Sequence, residues 1–159
     1  MRLTPQRAVR LAAAGLLAAV VAACGGTGEP VADYVTATAA ITEQMTRDAF
    51  AALPPGAAPT YDQISAVVAA RREALDAIGA LAPPEEMAPE HLALVTAMGE
   101  FVTATETFVA SAADLDTAAF LTALEASTDL DVLADVVSGA CTTWESRAAD
   151  LGQPVELGC

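Results

Sequence analysis

The sequence predicts an all-α protein, an antiparallel bundle of about four main helices plus one short helix. Three observations lead there. Large apolar residues recur at three- and four-residue spacing over long stretches, Pro-rich or Asp-rich breaks separate those stretches, and no period-two run or Asn-Gly hairpin turn occurs. A chain of 159 residues that is 54% apolar can close one hydrophobic core, so a single domain is expected.

Each element has its own local reason. From Val31, the positions Tyr34, Val35, Thr38, Ile41, Met45, Ala49 and Leu53 follow the helical repeat, and Pro54-Pro55-Gly56 ends that helix. Thr60 and Asp62 offer caps for a second helix, striped by Tyr61, Ile64, Val67, Val68, Leu75, Ile78 and Ala82. Arg71 interrupts this stripe and is expected at its edge, with its stem packed and its head in water. Pro83-Pro84 forces the next break. Glu85, Glu86 and Pro89 then favour a helix start, because acids suit the positive end of a helix and Pro is tolerated in the first turn. The third stripe is His91, Leu94, Val95, Met98, Phe101, Val102, Thr105, Phe108 and Val109. Asp114 to Thr117 reads as a turn and cap, and Ala118 to Ala126 as the short helix. Asp129 or Asp131 caps the last helix, whose inner face carries Leu133, Val136, Val137, Ala140, Cys141, Trp144 and Leu151. Many inner positions are Ala, which buries little area, so the seven aromatic residues should dominate packing.

The first 24 residues carry an address. Arg2, Arg7 and Arg10 form a basic start, Leu11 to Val21 an apolar run, and Val21-Ala22-Ala23-Cys24 is followed at once by Gly25-Gly26-Thr27-Gly28. An apolar run of about 11 residues spans about 16 Å as a helix, too short for a hydrocarbon core of about 30 Å. An ordinary secretory cleavage site would leave Cys24 without a role. The aliphatic-small-small-Cys pattern closely resembles the lipobox of bacterial lipoproteins. That resemblance implies a signal peptide over residues 1–23, diacylglyceryl and fatty-acyl (palmitate-type) lipidation of Cys24, and location at the extracytoplasmic face of the cell membrane. Residues 24–30 then form a flexible tether and residues 31–159 the bundle. The stretch Ala74 to Met98, ALDAIGALAPPEEMAPEHLALVTAM, resembles small helical lipoproteins of actinobacteria with no characterised function. It supports fold and compartment and assigns no catalytic residue.

Charge narrows the partners. The formal charge is −14, Lys is absent, and three of the seven arginines lie in residues 1–23, leaving Arg47, Arg71, Arg72 and Arg147 against all 21 acids. Such a surface repels phosphate backbones and anionic head groups, so nucleic acid is excluded as a partner and the membrane is met through the lipid. With Cys24 assigned to the lipid, Cys141 and Cys159 form the remaining pair, and outside the cytoplasm that pairing reads as a disulfide. The residues after the last helix are long enough to fold back to Cys141.

No catalytic pattern emerges. His91 is the only histidine, which excludes a His-Glu-x-x-His zinc site, and there is no Gly-x-Ser-x-Gly elbow. Met87, His91 and Met98 fall near one helix face and would suit Cu(I), although the same face continues as core. Asp114-Leu115-Asp116 and Asp129-Leu130-Asp131 begin like calcium loops but lack the later oxygen ligand and Gly, which favours capping. The expectation is therefore a non-catalytic binding or structural module of the cell envelope with a protein or other envelope partner and no cofactor. The alternative is a copper-handling lipoprotein using Met87, His91 and Met98.

Overall fold

Capping chemistry sets where the helices begin and end. The computed structural model describes residues 29–53, 56 and 58–158. The expected signal peptide, Cys24 and Cys159 lie outside the described residues. The fold is all-α, with α1 (Glu29–Ala52), α2 (Tyr61–Gly79), α3 (Ala88–Ser111), the short α4 (Thr117–Glu125) and α5 (Thr128–Asp150); a 3₁₀ turn, Glu85–Met87, leads into α3. Four long helices and a short one match the expectation, and no strand occurs among the described residues.

Thr60 opens α2 with a reciprocal capping box. Its hydroxyl accepts from the Gln63 N–H while Gln63 accepts from the Thr60 N–H. Asp116 caps α4 by accepting from the Ala119 N–H at 2.9 Å. At α5 the expectation shifts by two to four residues. Ser127, not Asp129 or Asp131, is the N-cap; the two acids lie in the first turn, facing the positive helix end. At the start of α1, Glu29 and Pro30 were expected to end the tether but form the first turn, where Pro needs no N–H partner.

Neighbouring helices run antiparallel. Leu75 lies beside Gly99 and Val95 beside Gly79, while Arg72 near the middle of α2 reaches Glu106 towards the end of α3 through two bonds of 2.9 and 2.6 Å. α1 packs on α2, α2 on α3, and α3 on α5. Residues 85–111 are long and apolar enough to cross a membrane by length and composition; in this fold they form the central helix, with α2 on one side and α5 on the other.

One core cluster joins all four long helices, including Tyr34, Ile78, Met87, Leu94, Val102 and Trp144. Thr42, outside the expected α1 stripe, is also buried. Its hydroxyl donates to the carbonyls of Thr38 and Ala39, so its polar atom is satisfied within the helix. Val136 was expected to face inward but is 47% exposed. The α5 residues on the side of α1 are Ala134 and Val137, Val136 is turned away from that side, and the first half of α5 is largely open.

The C-terminal segment returns along α5. Gly152 takes φ +79°, its N–H bonds to the Ala149 carbonyl, and the Gln153 N–H bonds to the Ala148 carbonyl. This is a Schellman stop, which Gly adopts without steric cost. The chain then buries Leu157 in the main cluster, and the Leu157 N–H donates to Glu145 Oε1 at 2.6 Å.

α4 is fastened by one side chain. Phe120 is fully buried, with the Tyr61 and Phe108 rings at 5.7 and 5.8 Å. Phe120→Ala is expected to cost about 3 kcal/mol or more in chemical denaturation and to speed amide exchange selectively over residues 117–125. Unchanged exchange there would show that α4 is held by other contacts.

Candidate functional site

Two features of the bundle bear on function: a polar knot in the core and an apolar cleft between α1 and α5. The knot begins with Trp144 of α5, whose indole N–H can only donate and does so to the Tyr34 hydroxyl of α1 at 3.1 Å. The Tyr34 hydrogen is thereby left for His91 Nδ1 of α3, 2.9 Å away. With the phenol hydrogen directed at Nδ1, this chain of bonds fits the neutral imidazole that carries its hydrogen on Nε2. The Tyr34 ring meets the His91 ring edge-on and the Trp144 ring at a tilt, both at 5.8 Å. Burial pushes the His91 imidazole below its ordinary value, which favours the neutral ring. Burial also pushes the Tyr34 phenol up, opposed by its bond to Trp144 and aided by the charge of Glu90.

Glu90 Oε2 is buried without a hydrogen-bond partner. Its residue lines an open acidic depression with Glu85, Glu86 and Asp150, in which Arg147 Nε donates to the Glu86 carbonyl at 3.0 Å.

The expected candidate ligands divide. Met87 precedes α3, and both it and Met98 are buried in the main core cluster. The eleven positions between them correspond to about 16 Å of helix rise, too far for both thioethers and His91 to surround one ion. Among the described residues no group of three or more His, Cys, Asp or Glu side chains could hold a metal. Cys141 is buried on the core side of α5 and is an engaged group.

The cleft lies towards the far end of the bundle from Tyr34. It is a cavity of about 380 Å³ whose walls include Met45 of α1, Leu53 just past the end of α1, Val67 of α2, Met98 and Val102 of α3, and Val137 of α5. Phe50, 74% exposed, stands at its edge. Arg71 also lines it, with its guanidinium carbon 5.0 Å from the centre of the Phe101 ring. The expectation of an edge residue with its head in open water is corrected here: Arg71 is half-buried over an aromatic face, and burial pushes its guanidinium below its ordinary value. Comparison with protein-family models, curated proteins and solved structures finds no match.

Sequence reading missed the cleft because its lining residues come from four helices. The sequence signal that could have found it was Arg71, a charge set within an apolar stripe. The Tyr34–Trp144 bond likewise left no local trace, since 110 positions separate its ends.

The knot has a pH signature. His91 is the only histidine, with an ordinary pKa of about 6.5. A folded-state value below the unfolded one means that the unfolded chain takes up the proton first, so stability falls as pH drops through the unfolded value. Thermal unfolding should show a larger loss of Tm between pH 7.5 and 5.5 for the wild type than for His91→Gln. An equal or smaller loss would contradict a neutral, buried imidazole.

Proposed function

We propose that the protein is a lipid-anchored, extracytoplasmic module of the cell envelope that binds rather than catalyses. Support for the anchor is the Val21-Ala22-Ala23-Cys24 sequence behind a basic start and an apolar run. The observation that carries binding is the open apolar cleft, whose walls are drawn from all four long helices. A polar mechanism has less support. The imidazole spends Nδ1 on Tyr34 inside the core, and Arg72 is clamped to Glu106, holding that carboxyl below its usual range. Tethering near the membrane would raise encounters with envelope components without demanding high intrinsic affinity.

The disulfide between Cys141 and Cys159 belongs to the same proposal. Leu157 is buried against the core cluster that contains Cys141, and Gly158 lines the cleft with Val137, one turn before Cys141 on α5. This places the end of the described chain beside the required helix. Such a loop would add about 3 kcal/mol in the chain-entropy model.

Two measurements test these points. Cys24→Ala should release the protein from the membrane fraction or leave an unprocessed precursor, because stable attachment needs more than one acyl chain; a membrane-bound variant of mature size would refute the anchor. Intact mass before and after reduction should differ by two hydrogens, and two alkylatable thiols without reduction would refute the disulfide.

A further inference from the structure

The arginines outside the proposed signal have different fates. Arg47 pairs with Glu43, Arg72 is held by Glu106, and Arg147 donates to the Glu86 carbonyl. Arg71 has a ring beneath it and, among the described residues, no carboxylate within ion-pair reach. This is notable in a chain whose acids outnumber its basic residues 21 to 7. Arg147 also has no carboxylate partner but spends its Nε on a carbonyl, so among the described residues Arg71, inside the apolar cleft, is the arginine with neither an ion pair nor a hydrogen bond.

We infer that the cleft binds an anionic amphiphile with a single carboxylate head, its acyl chain against the apolar walls and its carboxylate on Arg71. This rests on the binding-module reading and deepens it by naming the ligand class. The cavity, about 380 Å³, falls in the range of small-molecule sites, which are mostly apolar with a few placed polar groups. Met45 and Met98 supply unbranched, adaptable walls suited to a flexible chain. A guanidinium fork accepts carboxylate and phosphate alike. Here one cation stands in a strongly negative field, which favours the ligand with a single charge over a dianionic phosphate. An anion would also relieve the cost of holding the Arg71 charge away from water.

The cleft is set back from the proposed membrane end. Met45 lies about 24 Å along α1 from Glu29, so a ligand here would be held towards the opposite end of the bundle from the tether.

The test uses the full chain carrying Cys24→Ala, so that no acyl chain of its own competes. Equilibrium dialysis against oleate below its micelle concentration should give saturable binding at one per chain, with weaker binding of oleyl alcohol and of a single-chain alkyl phosphate. Arg71→Met should weaken oleate by about tenfold or more, the value of a charge-assisted hydrogen bond, and leave oleyl alcohol within about twofold. Arg71→Lys should retain most of the oleate affinity. Ala134→Trp fills the cleft from an exposed position on its rim and should abolish both. Circular dichroism reports whether each variant keeps its helices.

Absence of saturable oleate binding would overturn the inference, as would equal oleate affinity in Arg71→Met, indifference to Ala134→Trp, or a preference for the phosphate. A dimer disrupted by Ala134→Trp, with no oleate bound, would assign the cleft to a second copy of the chain. Failure of the anchor shows separately: a Cys24→Ala protein that binds oleate but remains membrane-bound refutes the anchor and keeps the cleft.

Discussion

The Tyr34 hydroxyl is the interaction on which the arrangement of α1 depends. α1 packs closely on α2 and shares the core cluster with α3 and α5, but among the described residues its hydrogen-bonded link to those two helices runs through one phenol, shared by Trp144 and His91. All three side chains are buried. A buried donor or acceptor left unpaired costs about 1–3 kcal/mol, more than the net gain of an ordinary hydrogen bond, so each group holds the others in place chiefly by the cost of separation. Leu157 and the returning tail cover the same half of the bundle. Further along α1 there is no comparable tie among the described residues; Thr42 and Thr46 turn their hydroxyls back onto their own helix. There the apolar side chains of α1 face α5 across an open space. The closed half and the open half are thus two results of one distribution of polar partners.

Much of this fold was legible locally. Helical periodicity and Pro-rich breaks located four long helices and a short one, and the caps at Thr60 and Asp116 were visible as residue types at the right places. What failed depends on tertiary placement. Val136 is apolar and lies at the margin of its stripe, yet it is exposed while its neighbour Val137 packs against the core. Thr42 has a polar side chain, yet its own helix satisfies it and the bundle buries it. The knot joins positions 57 and 110 residues apart, and no short-range pattern marks such pairs. His91 was legible as a singular residue on a core face, whereas its partner Tyr34, itself bonded to Trp144, was not.

The same contrast separates the two candidate sites. Spacing suggested Met87, His91 and Met98 as one face, but a face is not a centre: over eleven positions the helix rise pulls its ends apart. Arg71 was visible only as an exception to its stripe. Its meaning comes from what surrounds it, an aromatic ring below and apolar walls around it. In a protein this acidic, an arginine with no polar partner among the described residues stands out more than any of the acids.

The hold of the Tyr34 hydroxyl on α1 is tested most directly by a double-mutant cycle on the knot, measured by urea denaturation with Tyr34→Phe, Trp144→Phe and the double variant. Tyr34→Phe keeps the ring and strands both the indole N–H and the imidazole nitrogen, so it should cost about 2 kcal/mol or more. The two substitutions should be non-additive by about 1 kcal/mol, because each removes the same bond. A Tyr34→Phe protein within about 0.5 kcal/mol of wild type, or strictly additive losses, would contradict the claim that this hydroxyl fixes α1 against the rest of the bundle.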